Sequence, residues 1–373
     1  MPTIHAGALE RARTLRDLTD PAHGPHAMQC LLARVRDALT ERWACDVLMH
    51  RADPVVSVAD NYDALHYPRD GAARDARYSR YVTPDRLLRT QTSAMIPPLL
   101  RTLAAAPPRD VLLVCPGLVY RRDSIDRLHT GEPHQVDLWR ISAVDTVAFG
   151  AAHLAAMIDV VVTALLPGWT YRAVPAEHPY TTDGVQIDVR APDGRWVEIG
   201  ECGLVLPALL GECGLDPSHH RGLAMGLGLD RLLMLAKGID DIRLLRASDP
   251  RIAGQMLDLA PYVPVSSQPA MRRDLSLVVD ARLDAETLGD RVRELLGADA
   301  ALLEEVLVLG QTPVDALPAA AVARMGARPG QTNLLVRLII RDVARTLTAA
   351  EANALRNRVY AGLHEGGRRE WAE

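Results

Sequence analysis

The chain has 373 residues, 48% hydrophobic and 24% charged, which suits one large or two ordinary cores and excludes a disordered tail. Its 42 Lys and Arg against 47 Asp and Glu leave a net charge of -5, so no global basic field recruits nucleic acid and any RNA contact must be local. Five cysteines, at 30, 45, 115, 202 and 213, form no C-x-x-C pair, which points to a reducing cytoplasm, and no uncharged run reaches the roughly 20 residues of a membrane span.

In chain order, AMQCLLARVRDALTERW (27–43) has apolar residues at helical spacing and predicts an amphipathic helix, followed by a strand-like DPVVSVADNYDAL (53–65). Strands are expected at DVLLVC (110–115), VYRRDSI (119–125) and HQVDLWRI (134–141), then a long helix over 143–166 ending at Pro-Gly-Trp. Further strands are expected at 183–192 and 195–203. Strands in series around few helices favour an α+β fold with an antiparallel sheet over alternating β-α-β units. The stretch GLAMGLGLDRLLM (222–234) alternates Gly with apolar residues, allowing close approach of a ligand to the backbone at Gly226 and Gly228, and leads into a helix bearing Asp230 and Arg231. The Pro-rich stretch over 260–271 reads as a linker between a domain at 1–259 and a second at 272–373. Beyond it, strand, helix, strand, strand and helix follow in the order of a ferredoxin-like sandwich.

The segment VYRRDSIDRLHTGEPHQVDLW (119–139) crowds basic and acidic residues around one expected hairpin. On the residues alone, Arg122, Asp126, Arg127 and Glu132 read as solvated hairpin charges whose removal does little. Cys202, Cys213, His219 and His220 have the residue types of a zinc site, but their spacing fits no compact ligand pattern.

Several stretches together resemble the class II aminoacyl-tRNA synthetases, specifically the phenylalanyl-tRNA synthetase α-type family. VYRRDSIDRLHTGEPHQVD is similar to motif 2 of that family, GLAMGLGLDRLLMLAKGIDDIRL to motif 3, LLRTQTSA (87–94) to its amino-acid loop, and WVEIGECGLVLPALL (196–210) to a strand lining its pocket. RRDLSLVVD and ARTLTAAEANAL resemble the ferredoxin-fold anticodon-binding domain of the monomeric mitochondrial enzyme, and the chain is also similar to standalone bacterial relatives of this synthetase. The resemblance implies an enzyme that uses ATP and Mg2+ to form an aminoacyl adenylate. Arg121 would hold the α-phosphate, Asp123 the adenine end, His129 the β,γ-phosphates and Arg231 the γ-phosphate, with Gly226 and Gly228 beside the nucleotide. Gln135 and Asp137 would hold the substrate's α-amino group. Gln91, Ser93, His178, Tyr180, Cys202 and Ala224 would line the rest of the amino-acid site. The acceptor would be tRNA or a carrier or protein amine, with Arg272, Arg273, Arg341 and Arg345 as candidate contacts, no membrane, and no β-subunit required.

Departures from the family pattern fall in the side-chain pocket. His178-Pro179-Tyr180 stands where the family has Phe-Pro-Phe, Gln91 replaces a His, Pro133 a Phe, Asp137 shortens a Glu, and Glu201 takes the place of a small residue. A site with more donors and acceptors rejects a ligand that leaves them unpaired. The expectation is therefore a substrate other than phenylalanine, polar or smaller, with His178 desolvated without a partner against a phenyl ring. An authentic phenylalanine enzyme and a non-catalytic binding module are the alternatives.

Overall fold

A computed structural model describes residues 3–147, 149–265, 269–280 and 283–369. The chain separates into two units, one comprising 1–121, 132–239 and 256–262, the other 122–131, 240–255 and 263–373.

In the first unit the strands are β1 (Asp46–Met49), β2 (Val55–Ser57), β3 (Tyr81–Thr83), β4 (Arg86–Leu88), β5 (Asp110–Leu118), β6 (His134–Ala143), β7 (Tyr171–Pro175), β8 (Thr181–Arg190), β9 (Trp196–Val205) and β10 (His220–Gly228). Seven of them form one sheet in the order β1-β5-β6-β10-β9-β8-β7, antiparallel except for the β1–β5 pair, while β2, β4 and β3 form a small second sheet. The helices are α1 (Ala6–Thr14), α2 (Ala27–Trp43), α3 (Ile96–Leu103), α4 (Ala151–Leu165), α5 (Pro207–Glu212) and α6 (Leu229–Lys237). This is the expected α+β architecture of an antiparallel sheet flanked by helices. The helix α2 buries Met28, Leu31, Leu32, Val35 and Leu39, the 3–4 spacing that its sequence announces, and stops at Ala44 in the left-handed region. β5 is buried from Val111 to Leu118, so its side chains are apolar without alternation.

The second unit contains α7 (Pro250–Ala253), β11 (Met271–Asp280), α8 (Ala285–Leu296), β12 (Leu303–Pro313), α9 (Ala319–Met325), β13 (Gln331–Ile340) and α10 (Ala349–Leu363). Among the described residues its antiparallel sheet has β13 in the centre and three strands, where a full β-α-β-β-α-β sandwich has four. Leu275, Leu277, Leu288, Val292, Val336, Leu355 and Val359 belong to its core. Thr348 and Glu351 close a capping box that starts α10.

Three expected elements differ. The strand expected over 53–65 ends at Ser57 and gives way to a π-helical turn, Ala59–Asp63. The long helix starts at Ala151 rather than 143, and Ala148 lies outside the described residues, as do Ser266, Ser267 and Gln268 of the expected linker. The segment 119–125 forms no strand, because the backbone carbonyls of Asp123, Ser124 and Ile125 are taken by donors far along the chain. No helix among the described residues is long and apolar enough to cross a membrane.

Candidate active site

Strand register assembles the centre of the first unit. Asp137 on β6 pairs with Gly226 on β10, and Gly226 pairs with Glu201 on β9, so the two carboxylates flank a residue without a side chain. One step along, Gln135 faces Gly228; in the other direction Trp139 faces Ala224 and Ala224 faces Gly203. Because strand side chains alternate, Gln135, Asp137 and Trp139 share a face. The nearest atom to a Cβ built on Gly226 is Asp137 Oδ1, at 3.9 Å, an ordinary van der Waals contact.

Asp137 is 2% exposed. Thr92 donates its hydroxyl to Oδ1 at 2.6 Å and Trp139 donates Nε1–H to Oδ2 at 2.8 Å, yet burial still pushes the carboxyl pKa up. Among the described residues no cationic side chain pairs with it. Thr92 also donates its backbone N–H to Gln135 Oε1 at 3.4 Å. The neighbouring Ser93 is buried, 3.5 Å from the Tyr180 hydroxyl, and Gln91 accepts from Tyr67 at 2.8 Å while donating to the Asn61 carbonyl. Thus Gln91, Ser93, Gln135, Asp137 and Tyr180 do meet.

The side-chain end of this site is crowded. Tyr180 stacks on Trp139 with centroids 5.8 Å apart and planes 18° from parallel. A cavity of about 10 Å³ remains, lined by Asp137, His178, Tyr180, Thr181, Glu201, Cys202, Ala224, Met225 and Gly226, roughly the room one water molecule needs. His178 is not desolvated alone: its Nε2 lies 2.8 Å from Glu201 Oε2, an ion-pair distance without hydrogen-bond alignment. Burial pushes the Cys202 thiol up to about 12, which makes it an inert lining group.

Arg121 is anchored by Nε to the Thr90 carbonyl at 2.7 Å, and Arg231 by Nη1 to the Glu198 carbonyl at 3.1 Å. Burial, with the nearby charge of Glu201, pushes the Glu198 carboxyl up. Before Arg231, Asp230 accepts the backbone N–H of His134 and lies 3.0 Å from its Nδ1, while His134 Nε2 accepts from the Leu18 N–H. That acceptor role places the proton of a neutral His134 on Nδ1, donating to Asp230.

Asp123 and His129 lie on the 122–131 segment of the second unit. Asp123 Oδ1 accepts the Ser124 N–H, and His129 Nδ1 sits 2.7 Å from Asp126 Oδ2. The four residues expected to be solvated hairpin charges have partners: Arg122 with Asp290, Asp126 with His129, Arg127 with Asp240, and Glu132 with Arg80 at 2.5 Å. Their partners lie too far along the chain for local reading, except Asp126. Of the candidate acceptor contacts, Arg272 is exposed, Arg273 donates to Asn353, Arg341 pairs with Asp241, and Arg345 pairs with Glu351.

Sequence reading passed over Thr92, Trp139 and Tyr67. Trp139 was findable, two residues beyond Asp137 on the same strand face. Among the described residues no group of three or more His, Cys, Asp or Glu could hold a metal ion.

A family model of the class II core domain of tRNA synthetases (F) matches residues 19–256. The phenylalanine–tRNA ligase alpha subunit of Prochlorococcus marinus strain MIT 9313 is 39% identical over 195 residues, 52% of this chain and 56% of the relative. The alpha subunit from strain NATL2A of that species is 37% identical over the same shares, and that of Psychrobacter arcticus is 33% identical over 52% of this chain and 53% of its own length. The chain therefore spans about half the length of the curated relatives it matches. These relatives are named alpha subunits, that is, parts of an assembly, and this overturns the expectation that no β-subunit is required.

Proposed function

Because this chain belongs to the family of class II tRNA synthetase core domains, we propose that it is a ligase of the phenylalanine–tRNA ligase alpha type, one subunit of a larger cytoplasmic enzyme. It activates an amino acid with ATP to form the aminoacyl adenylate, and the acceptor is tRNA. The observation that supports this reading best is Asp137, a buried carboxylate held by Thr92 and Trp139 with no cation of its own among the described residues. An α-ammonium supplies the missing charge, and Gln135 stands in the same strand to accept a second N–H.

Arg121 and Arg231 bind phosphate oxygens and stabilise the charge that develops when the substrate carboxylate attacks the α-phosphate. Gly226 and Gly228 leave the nucleotide room, a Cβ on Gly228 meeting nothing within 4 Å. The motif 2 resemblance nominates Asp123 and His129 as further ATP ligands. Mg2+ would neutralise the triphosphate; Glu198 and Glu201, close enough for their charges to act on each other, would offer it carboxylate oxygens, with phosphate and water completing the shell.

Phenylalanine is the first amino acid to test, on the names of the relatives. A second reading, a polar or smaller side chain, is favoured by the Tyr180–Trp139 stack and the paired His178 and Glu201 at the pocket's end. Amino-acid-dependent exchange of pyrophosphate into ATP across a panel of amino acids decides between them. Phenylalanine as the best substrate, unimproved by His178→Phe, upholds the first; a small polar winner upholds the second. Arg121→Ala and Arg231→Ala should each lower kcat/KM by about two to four orders of magnitude. Silence with every amino acid, with the partner subunit present, would remove the ligase reading altogether.

A further inference from the structure

The segment 122–131 is gripped along its backbone. Arg293 of α8 donates from Nη1 to the Asp123 carbonyl and from Nη2 to the Ser124 carbonyl. Val306 N–H donates to the Ile125 carbonyl at 3.0 Å, and Ile242 N–H to the Arg127 carbonyl at 2.8 Å. Four carbonyls within five residues are thus taken by groups more than a hundred positions away. Ile125 is buried in the core with Leu275, Leu288 and Val292, and Arg122 pairs with Asp290. Gly289 and Arg293 are four residues apart and Asp290 and Arg293 three, so Arg293 neighbours both on the helix surface. Gly289 supplies the clearance: a Cβ there would stand 2.7 Å from the Asp123 carbonyl oxygen and 3.3 Å from the Ser124 Cα.

Two consecutive carbonyls held by one rigid guanidinium fix the orientation of both peptide planes, and with them the direction in which the Asp123 side chain leaves the backbone. We propose that Arg293, seated over Gly289, is a positioning residue for nucleotide binding, holding the segment that carries Asp123 and His129 in its binding geometry. The proposal rests on the reading of Asp123 and His129 as ATP ligands. Without the clasp, ordering of the segment has to be supplied by ATP itself, and affinity falls.

The test uses the full chain with Arg293→Ala, Arg293→Lys and Gly289→Val, the thermal transition of each being recorded to show that it folds. Hydrogen–deuterium exchange over 122–131 should quicken about tenfold or more in Arg293→Ala, with β11–β13 unchanged, and recover partly in Arg293→Lys. The Kd for a non-hydrolysable ATP analogue, by calorimetry, should rise about tenfold in Arg293→Ala and in Gly289→Val, with Arg293→Lys between. Unchanged exchange in Arg293→Ala overturns the clasp. Faster exchange with unchanged analogue affinity overturns the positioning role while leaving the ligase reading intact. An unmodified chain that fails to bind the analogue even with its partner subunit present removes the ligase reading and this proposal together.

Discussion

On the proposed function, Asp137 carries the recognition of the substrate's ammonium. A carboxylate taken from water prefers its proton, and here burial outweighs the hydrogen bonds from Thr92 and Trp139, so its pKa lies above the ordinary carboxylate value. Only the ionised form attracts an ammonium. The sign follows: above the raised pKa the site is ready, and acidification through it protonates Asp137 and removes the attraction. The kcat/KM for the amino acid in pyrophosphate exchange should therefore fall on the acid side with a midpoint above the ordinary Asp value of about 3.9, and Asp137→Asn should abolish that limb along with most activity. An acid limb retained in Asp137→Asn would assign it to another group. Gln135 and Asp137 were nominated by the family resemblance, and their two-residue spacing on β6 puts them on one face. Tyr67 and Thr92 were not, since the first reaches Gln91 across 24 positions and the second carries no charge to attract notice.

The elements that position these residues depend on close strand contact. A Cβ on Gly200 of β9 would stand 2.2 Å from the Gly226 carbonyl oxygen of β10 and 2.8 Å from Leu227 Cδ2, too close for any side chain without moving backbone. Gly200→Ala should cost about 1–3 kcal/mol through this overpacking and lower the Tm. Gly310→Ala on β12, where nothing lies within 4 Å, should stay within about 0.5 kcal/mol. Equal thermal shifts for the two would show that strand proximity is not the cause. Local pattern read α2, β5, β6, β9 and α8 well because their burial follows period or unbroken apolar runs. It missed the π-helical turn at Ala59–Asp63 and misread 119–125, where long-range partners decide the backbone: buried Asn61 accepts from the Thr90 N–H, and Arg293 grips Asp123 and Ser124.

For the whole molecule, a net charge of -5 leaves little general attraction for a tRNA backbone, so tRNA binding by the proposed ligase would rest on local cations. The four arginines that the sequence nominates are not equivalent. Arg341 pairs with Asp241, which is 0% exposed and also holds Arg243, so its charge is committed to an internal network. Arg345 is paired with Glu351, and Arg273 donates to Asn353. Arg272 is exposed at the start of β11. A phosphate-contacting arginine contributes about one unit to the slope of log affinity against log salt, whereas an arginine satisfying a buried acid contributes to stability instead. Arg272→Gln should therefore flatten the salt dependence of tRNA binding by about one unit with little change in Tm. Arg341→Gln should leave the slope unchanged and cost about 1–3 kcal/mol, because Asp241 loses one of its charged donors. Filter binding of tRNA over a salt series, with thermal unfolding of each variant, separates the two roles; a flattened slope in Arg341→Gln with unaltered Tm would place that arginine on RNA rather than in the network.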